Sequence, residues 1–277
     1  MNHYEPLRVV AELRSQVMVE RWPMLDAVMA ATVIDDGQSR ERARQARRYY
    51  FYLKNCRKHG RQETDDWYRK SEKYGYIPEP VWNGHFLPLG VFGHGLEHGV
   101  WTYRCSTATP VGDYELDTVH FTKRIDWLGA VDYVQAADRK INIGKGAFVS
   151  QYIPYQTVAV EALEWHIFGV AEEVGAILDA ALSIGKKRRR GYGVIKRWHI
   201  EQAADDESVF TRDGYLARPV PVDLLDEMHI TGDFEKEFCG FRPPYWQYKN
   251  IRTCAVRGRR QDHALDEARS QTGRQPV

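Results

Sequence analysis

Between Gly185 and Trp198 the chain carries seven cations, Lys186, Lys187, Arg188, Arg189, Arg190, Lys196 and Arg197, with no acid among them. Gly185, Gly191 and Gly193 punctuate this stretch, and Tyr192 stands between the last two. The chemistry such residues support is recognition of a polyanion. A guanidinium grips phosphate through paired N–H donors in a fixed fork. Glycine lets the backbone turn sharply and aim its own N–H groups at an anion. The Tyr192 ring offers a surface on which a base can stack. A solvated basic turn has the same composition, so composition alone leaves both readings open.

Two nucleotide-binding loops are excluded by pattern. A Walker A loop needs Gly-Lys-Ser or Gly-Lys-Thr opening a helix, whereas this stretch follows a helical pattern and precedes a strand pattern. Gly191-Tyr192-Gly193 lacks the third glycine and the following helix of a dinucleotide fingerprint. His94-Gly-Leu-Glu-His98 matches the H-x-x-E-H metalloprotease pattern, but Gly93, Gly95 and Gly99 surround it and oppose the helix that would align both histidines. A glycine-rich turn is the better reading. Cys56, Cys105, Cys239 and Cys254 form no C-x-x-C pair, which leaves zinc and thiol-redox readings without support and suits a reducing cytoplasm. No cofactor and no metal is expected. His85, His94, His98, His120, His166 and His199 are available for acid–base work on RNA, yet none is matched by spacing to a reaction partner.

The elements that must hold the basic stretch can be read on either side of it. Ala171 to Ile184 places Val174, Ile177, Leu178 and Ala181 on one helical stripe, with Glu172 and Glu173 at its start. Gly185 then fits the residue after the helix end, where a left-handed backbone costs glycine little. Val194 to Glu201 alternates as a strand, and Val158 to Val170 is apolar and β-prone. Near the N-terminus Leu7, Val9, Ala11 and Leu13 alternate as a strand, and Pro23 precedes an alanine-rich helical stretch from Met24 to Ala31. Val100 to Cys105 reads as a further strand, and Val131 to Tyr155, with Gly144, Gly146 and Pro154, as a long hairpin or loop. Two strand–helix–strand units predict an α+β fold with a ferredoxin-like core and insertions.

Ser39 to Arg61 is the second basic region, with nine cations from Arg40 to Arg61, one acid, Glu41, and the run Tyr49-Tyr50-Phe51-Tyr52. It predicts a helical insertion, about 39–80, whose basic face either meets nucleic acid or another subunit, or is simply solvated. The whole chain of 277 residues has a net charge of only +1, so any nucleic-acid signal comes from these local clusters. No apolar run is long enough to span a membrane and Met1 to Arg14 lacks a signal core, which predicts a cytoplasmic protein with no membrane partner. Residues 257–277 are polar and charged and read as a tail.

Ile184-Gly-Lys-Lys-Arg-Arg-Arg-Gly-Tyr-Gly-Val-Ile-Lys-Arg-Trp198 resembles the glycine-rich loop of the RAMP proteins, the RNA-binding superfamily that builds CRISPR effector complexes. It is particularly similar to the type IV subunit related to the Cas-five group. Other segments agree in order: Trp22-Pro-Met-Leu-Asp26, His85-Phe-Leu-Pro-Leu89, Trp101-Thr-Tyr-Arg-Cys-Ser106, Gly146-Ala-Phe-Val-Ser-Gln-Tyr-Ile-Pro154, Arg218-Pro-Val-Pro221 and Arg242-Pro-Pro-Tyr-Trp246. The similarity spans most of residues 5 to 255, and the insertion is larger than the family leads one to expect.

The resemblance implies a single RAMP-type (RRM-like) domain over 1–256, with a thumb-like hairpin at about 138–156. It implies a structural role in antiviral defence: gripping the 5′ handle of the guide RNA (crRNA) and capping a filament of backbone subunits. The implied partners are crRNA, the filament subunits and the large subunit, and the Arg40–Arg61 face admits target DNA. The expected RNA-binding residues are Gly185, Lys186, Lys187, Arg188, Arg189, Arg190, Gly191, Tyr192 and Gly193, with Lys196, Arg197, Lys140 and Lys145 beside them. Phe148 and Tyr152 are candidate wedges of the thumb, with ordinary core packing as the alternative. No catalytic residue is expected, and a Cas-six-like endoribonuclease that processes the guide precursor is the competing function.

Overall fold

The computed structural model describes residues 3–34, 58–59, 62–63, 87–93, 100–123, 150–245 and 247–260. Most of the basic insertion, His94 to His98, Lys140, Lys145, Phe148, the outer part of the expected thumb, Trp246 and the chain beyond 260 lie outside the described residues.

The centre of the molecule is β1 (Glu5–Leu13), whose alternation sends Leu7, Val9 and Ala11 into the core at no more than 2% exposure. After a short break the chain resumes as β2 (Val17–Met18), and Pro23 then leads into α1 (Leu25–Ile34). β5 (Thr109–Lys123) and β6 (Gln151–Gly169) form a long antiparallel hairpin. α2 (Ala171–Asp179) and β7 (Ile195–Gln202) complete this half. Across the sheet the strands run β5-β6-β1-β7, with β2 on the same side of β6 as β1, and every pair is antiparallel. One helix follows β1 and another follows β6, and both pack on one face. Leu25 and Met29 of α1 and Val174 and Leu178 of α2 share a core with Leu163, Trp165 and Ile167 of β6. Each such buried side chain contributes roughly 1.5–3 kcal/mol.

The opposite face of the sheet is charged and internally paired. Arg8 donates to Glu164 at 2.7 Å and meets Glu201 at 3.3 Å, and His166 lies 3.0 Å from Glu164. A second apolar cluster, including Val220, Leu224, Phe241 and Cys254, is built by β8 (Val220–Pro221), α3 (Val222–Glu227), β9 (Gly232–Gly240) and β10 (Ile251–Arg260). These strands form a sheet in the order β8-β10-β9. β3 (Val91–Gly93) and β4 (Trp101–Tyr103) make a small separate hairpin.

Two expectations need correction. The second helix stops at Asp179 rather than Ile184, because the following residues turn back onto the start of β7. Ser183 bridges Val194, and Ile195 N–H donates to the Leu182 carbonyl at 3.0 Å. Gln151 to Tyr155, read as part of a long hairpin or loop, are the first residues of β6 and pair with β5 in the β5–β6 hairpin. Residues 257–260, read as the start of a tail, complete β10. There Arg257 stands opposite Glu235 and Arg259 opposite Asp233, and such opposite-charge pairs favour the register.

Candidate nucleic-acid interface

The basic turn is a built structure. At its base Ile184 N–H donates to the Gly193 carbonyl, Gly193 N–H to Gln16, and Lys186 N–H to Met18, each at 2.8 Å. The turn is thus fastened to β2 and the link before it. Above this base Lys187 adopts a left-handed backbone (φ 55°) and opens a 3-10 turn over Arg188–Arg190. Arg190 N–H returns to the Lys187 carbonyl at 2.7 Å, and Gly191 N–H to Arg188 at 3.0 Å. A left-handed lysine costs roughly 1–2 kcal/mol, the kind of local strain that clusters at ligand-binding turns.

The three glycines have different reasons to be glycine. At Gly193 (φ 63°) a Cβ would sit 1.9 Å from the Ile184 carbonyl oxygen. At Gly185 (φ 83°) it would meet the Met18 carbonyl at 2.6 Å. Gly185 is therefore not the residue that ends the helix but the point where the turn crosses β2. Gly191 (φ 84°) has open space around it and is required for backbone conformation alone.

The cations divide into two groups. Arg188, Arg189 and Arg190 are exposed, and among the described residues no carboxylate pairs with them. Lys187 lies 4.9 Å from the Tyr155 ring centroid and 5.2 Å from that of Phe121, and the Arg190 guanidinium 4.8 Å from Phe121. Tyr192 meets Phe121 edge-on at 6.1 Å, and Phe121 meets Tyr155 at 5.5 Å. The turn thus rests on an aromatic ledge on the stem of the β5–β6 hairpin. Phe121 and Tyr155 escaped the sequence reading, although they lie on one face of the hairpin by strand alternation. Tyr192 is half-buried against this ledge rather than held out for stacking.

The remaining cations are offset. Lys186 pairs with Glu20. Lys196 and Arg197 lie 3.0 and 3.4 Å from Glu12 Oε2, and His199 lies 2.7 Å from Oε1. The Lys196 ammonium, with His199, holds the Glu12 carboxyl down at about 2. The stretch contains no acid in sequence, but β1 and the segment after β2 supply two in space. Lys196 and Arg197 belong to the charged sheet face and are not brought together with the turn.

Tyr152 lies near the far end of the hairpin stem, 67% exposed, with its ring stacked 4.5 Å from that of His120. Alternation puts this pair on the opposite face of the ribbon from Phe121 and Tyr155. Among the described residues no cluster of His, Cys, Asp and Glu could hold a metal ion.

Four of the segments that carry the family resemblance meet in a second place. Arg218 and Asp26 form a fully buried pair, and Tyr245 donates its hydroxyl to Asp26 at 2.7 Å. Arg218 also donates to the carbonyls of Tyr103, Cys105 (3.1 Å) and Phe241 (2.6 Å). The Arg242 guanidinium sits 4.2 Å from the Trp101 ring. Burial pushes the Asp26 carboxyl up from its usual range, while the Arg218 charge and the Tyr245 hydroxyl pull it back. Burial equally opposes the Arg218 charge, but Asp26 and Tyr245 raise it above the ordinary arginine value. This cluster ties α1, β4, the approach to β8 and the chain after β9 together.

Fold and site define a strand-rich α+β protein that presents a rigid, cationic, glycine-shaped turn at its surface. The model of the CRISPR type IV associated protein Csf3 family matches residues 5–257. The chain belongs to that family, a family of Cas-five-like subunits, and is a subunit of a type IV CRISPR complex. No curated protein matches the chain. No described helix is long and apolar enough to cross a membrane.

Proposed function

We propose that this subunit binds crRNA without cleaving it, gripping the 5′ handle with the turn from Gly185 to Gly193 and capping the filament of backbone subunits. The observation that carries the reading is the tip of the turn: three adjacent arginines, exposed and free of carboxylate partners among the described residues, on a backbone fixed by its own hydrogen bonds. A preorganised cationic surface loses little entropy when it takes up phosphates. The strand order β5-β6-β1-β7, with a helix after β1 and another after β6, supports a ferredoxin-like, RAMP-type core, with the β5–β6 hairpin as the stem of its thumb. The family supports the filament and large subunits as partners in a cytoplasmic ribonucleoprotein.

The competing reading is a Cas-six-like endoribonuclease. One arrangement favours it: His166 and His199 each contact a carboxylate, as an acid–base histidine requires for orientation. Both carboxylates already pair with Arg8, Lys196 or Arg197, however, which makes them parts of a charge lattice.

The test is a nuclease footprint of repeat-derived RNA on the complex assembled with its filament subunits. The wild-type chain protects the 5′ handle, and the R188E/R189E/R190E variant leaves it open. Handle protection that survives the triple reversal would remove the turn from the site.

A further inference from the structure

Among the described residues β5 hydrogen-bonds only to β6, so the outer edge of a fifteen-residue strand is unpaired. Every second backbone N–H and C=O along it faces outward, the arrangement to which another strand can add. Edges of this kind are ordinarily blunted by charged side chains, lysine above all, by proline or by a bulge. Here Pro110 and the bulge between Val111 and Tyr114 guard only one end, and Lys123 stands at the other. The stretch between them carries neither lysine nor proline. It instead displays Tyr114, 48% exposed, and Leu116, 65% exposed, with Trp22 packed edge-on to Tyr114 at 6.1 Å.

The charge of this edge narrows its occupant. Asp113, Glu115 and Asp117 alternate with Tyr114 and Leu116, and exposed Glu161 of β6 lies opposite the bulge. None of the four pairs with a cation among the described residues. An RNA strand is repelled by such a row. A second copy is disfavoured too: antiparallel pairing centred on Glu115 sets Asp113 against Asp117 and Glu115 against itself, and like charges directly opposite destabilise a sheet. We propose that the β5 edge docks an extended segment of a different protein chain, with basic residues at alternate positions and apolar ones between, which joins the sheet as a strand. Asp113 to Asp117 and Phe121, on which the basic turn rests, occupy different stretches of β5, so the subunit would hold a polyanion and a basic protein segment at different points along this strand.

The experiment uses the full chain and a synthetic eight-residue peptide alternating Lys and Val, with a Glu/Val peptide as comparison. Binding is followed by amide hydrogen exchange. The basic peptide is expected to protect alternate amides of β5, and E115K/D117K to weaken its binding at least tenfold. D113N/E115Q/D117N, nearly identical in shape, should leave weaker binding that no longer falls with salt. Unchanged β5 exchange with the basic peptide overturns the proposal. So do equal binding by the charge-reversed variant, equal binding of the acidic peptide, or protection of β5 by a second copy or by repeat RNA. E115K/D117K should bind repeat RNA at least as tightly as the parent does, so failure at this edge is distinct from failure of the turn.

Discussion

Arg218 and Asp26, 192 residues apart in the chain, meet at 3.2 Å with neither side chain exposed to solvent. The pair closes the molecule between its first helix and its C-terminal sheet. It joins Trp22-Pro-Met-Leu-Asp26, Arg218-Pro-Val-Pro221 and Arg242-Pro-Pro-Tyr245. They are parts of one buried joint.

A first prediction concerns that joint. Leucine at position 218 leaves Asp26 buried without its cation and should cost about 3–5 kcal/mol. D26A/R218L should cost less than the sum of the single changes, because each single change strands the other partner. Denaturant unfolding of the four proteins measures this. Additive losses would mean that the two groups do not act as a pair.

Gly191 and Gly193 look equivalent in the sequence but should not behave alike. G191A meets only the left-handed penalty, about 1–2 kcal/mol, since nothing lies near its Cβ. G193A carries the same penalty and a collision with the Ile184 carbonyl at 1.9 Å, so it should displace the turn. Thermal unfolding and RNA affinity together should show a modest loss for G191A and a much larger one for G193A. Equal losses would contradict the geometry of the base of the turn.

Acid should weaken the sheet through Glu12. Its carboxyl is held at about 2 against an ordinary value of 4.5. A lowered folded-state pKa contributes stability that is present above the unfolded value and lost as pH falls through the folded one. The parent should therefore lose this contribution between about 4.5 and about 2. E12Q, which lacks it, should show a flatter stability profile across the same window. Parallel profiles for the two proteins would mean that Lys196 and His199 do not engage this carboxylate.

A fourth expectation separates binding from cleavage. Repeat RNA incubated with the purified chain should remain full length, with and without magnesium. Site-specific products that disappear in H166A or H199A would favour the endoribonuclease instead.

Much of this arrangement was legible in the residues. β1 announces itself through Leu7, Val9 and Ala11, because a strand with one buried face must alternate. The stripe of Val174 and Leu178 marks α2, and the glycines at 185, 191 and 193 mark the turn. β5 was missed although Tyr114 and Leu116 alternate with Asp113, Glu115 and Asp117: the apolar positions change phase at Val119 and Phe121, so no single apolar face runs the length of the strand. The end of α2 was also missed, since Ser183 prefers a partner in Val194 that helical periodicity cannot reveal. Glu12, Glu20, Phe121 and Tyr155 reach the basic stretch only through folding, and local composition carries no trace of such non-local partners. The sequence thus overstated the number of free cations around the turn and understated how firmly the turn is seated.

A salt titration of repeat-RNA binding decides whether Arg188, Arg189 and Arg190 hold RNA phosphates. Each neutralised phosphate contributes about 0.7 to the slope of log K against log salt for a single strand, so R188A/R189A/R190A should weaken binding and flatten the slope by about 2. Unchanged affinity and an unchanged slope in the triple variant would show that the three arginines do not hold RNA.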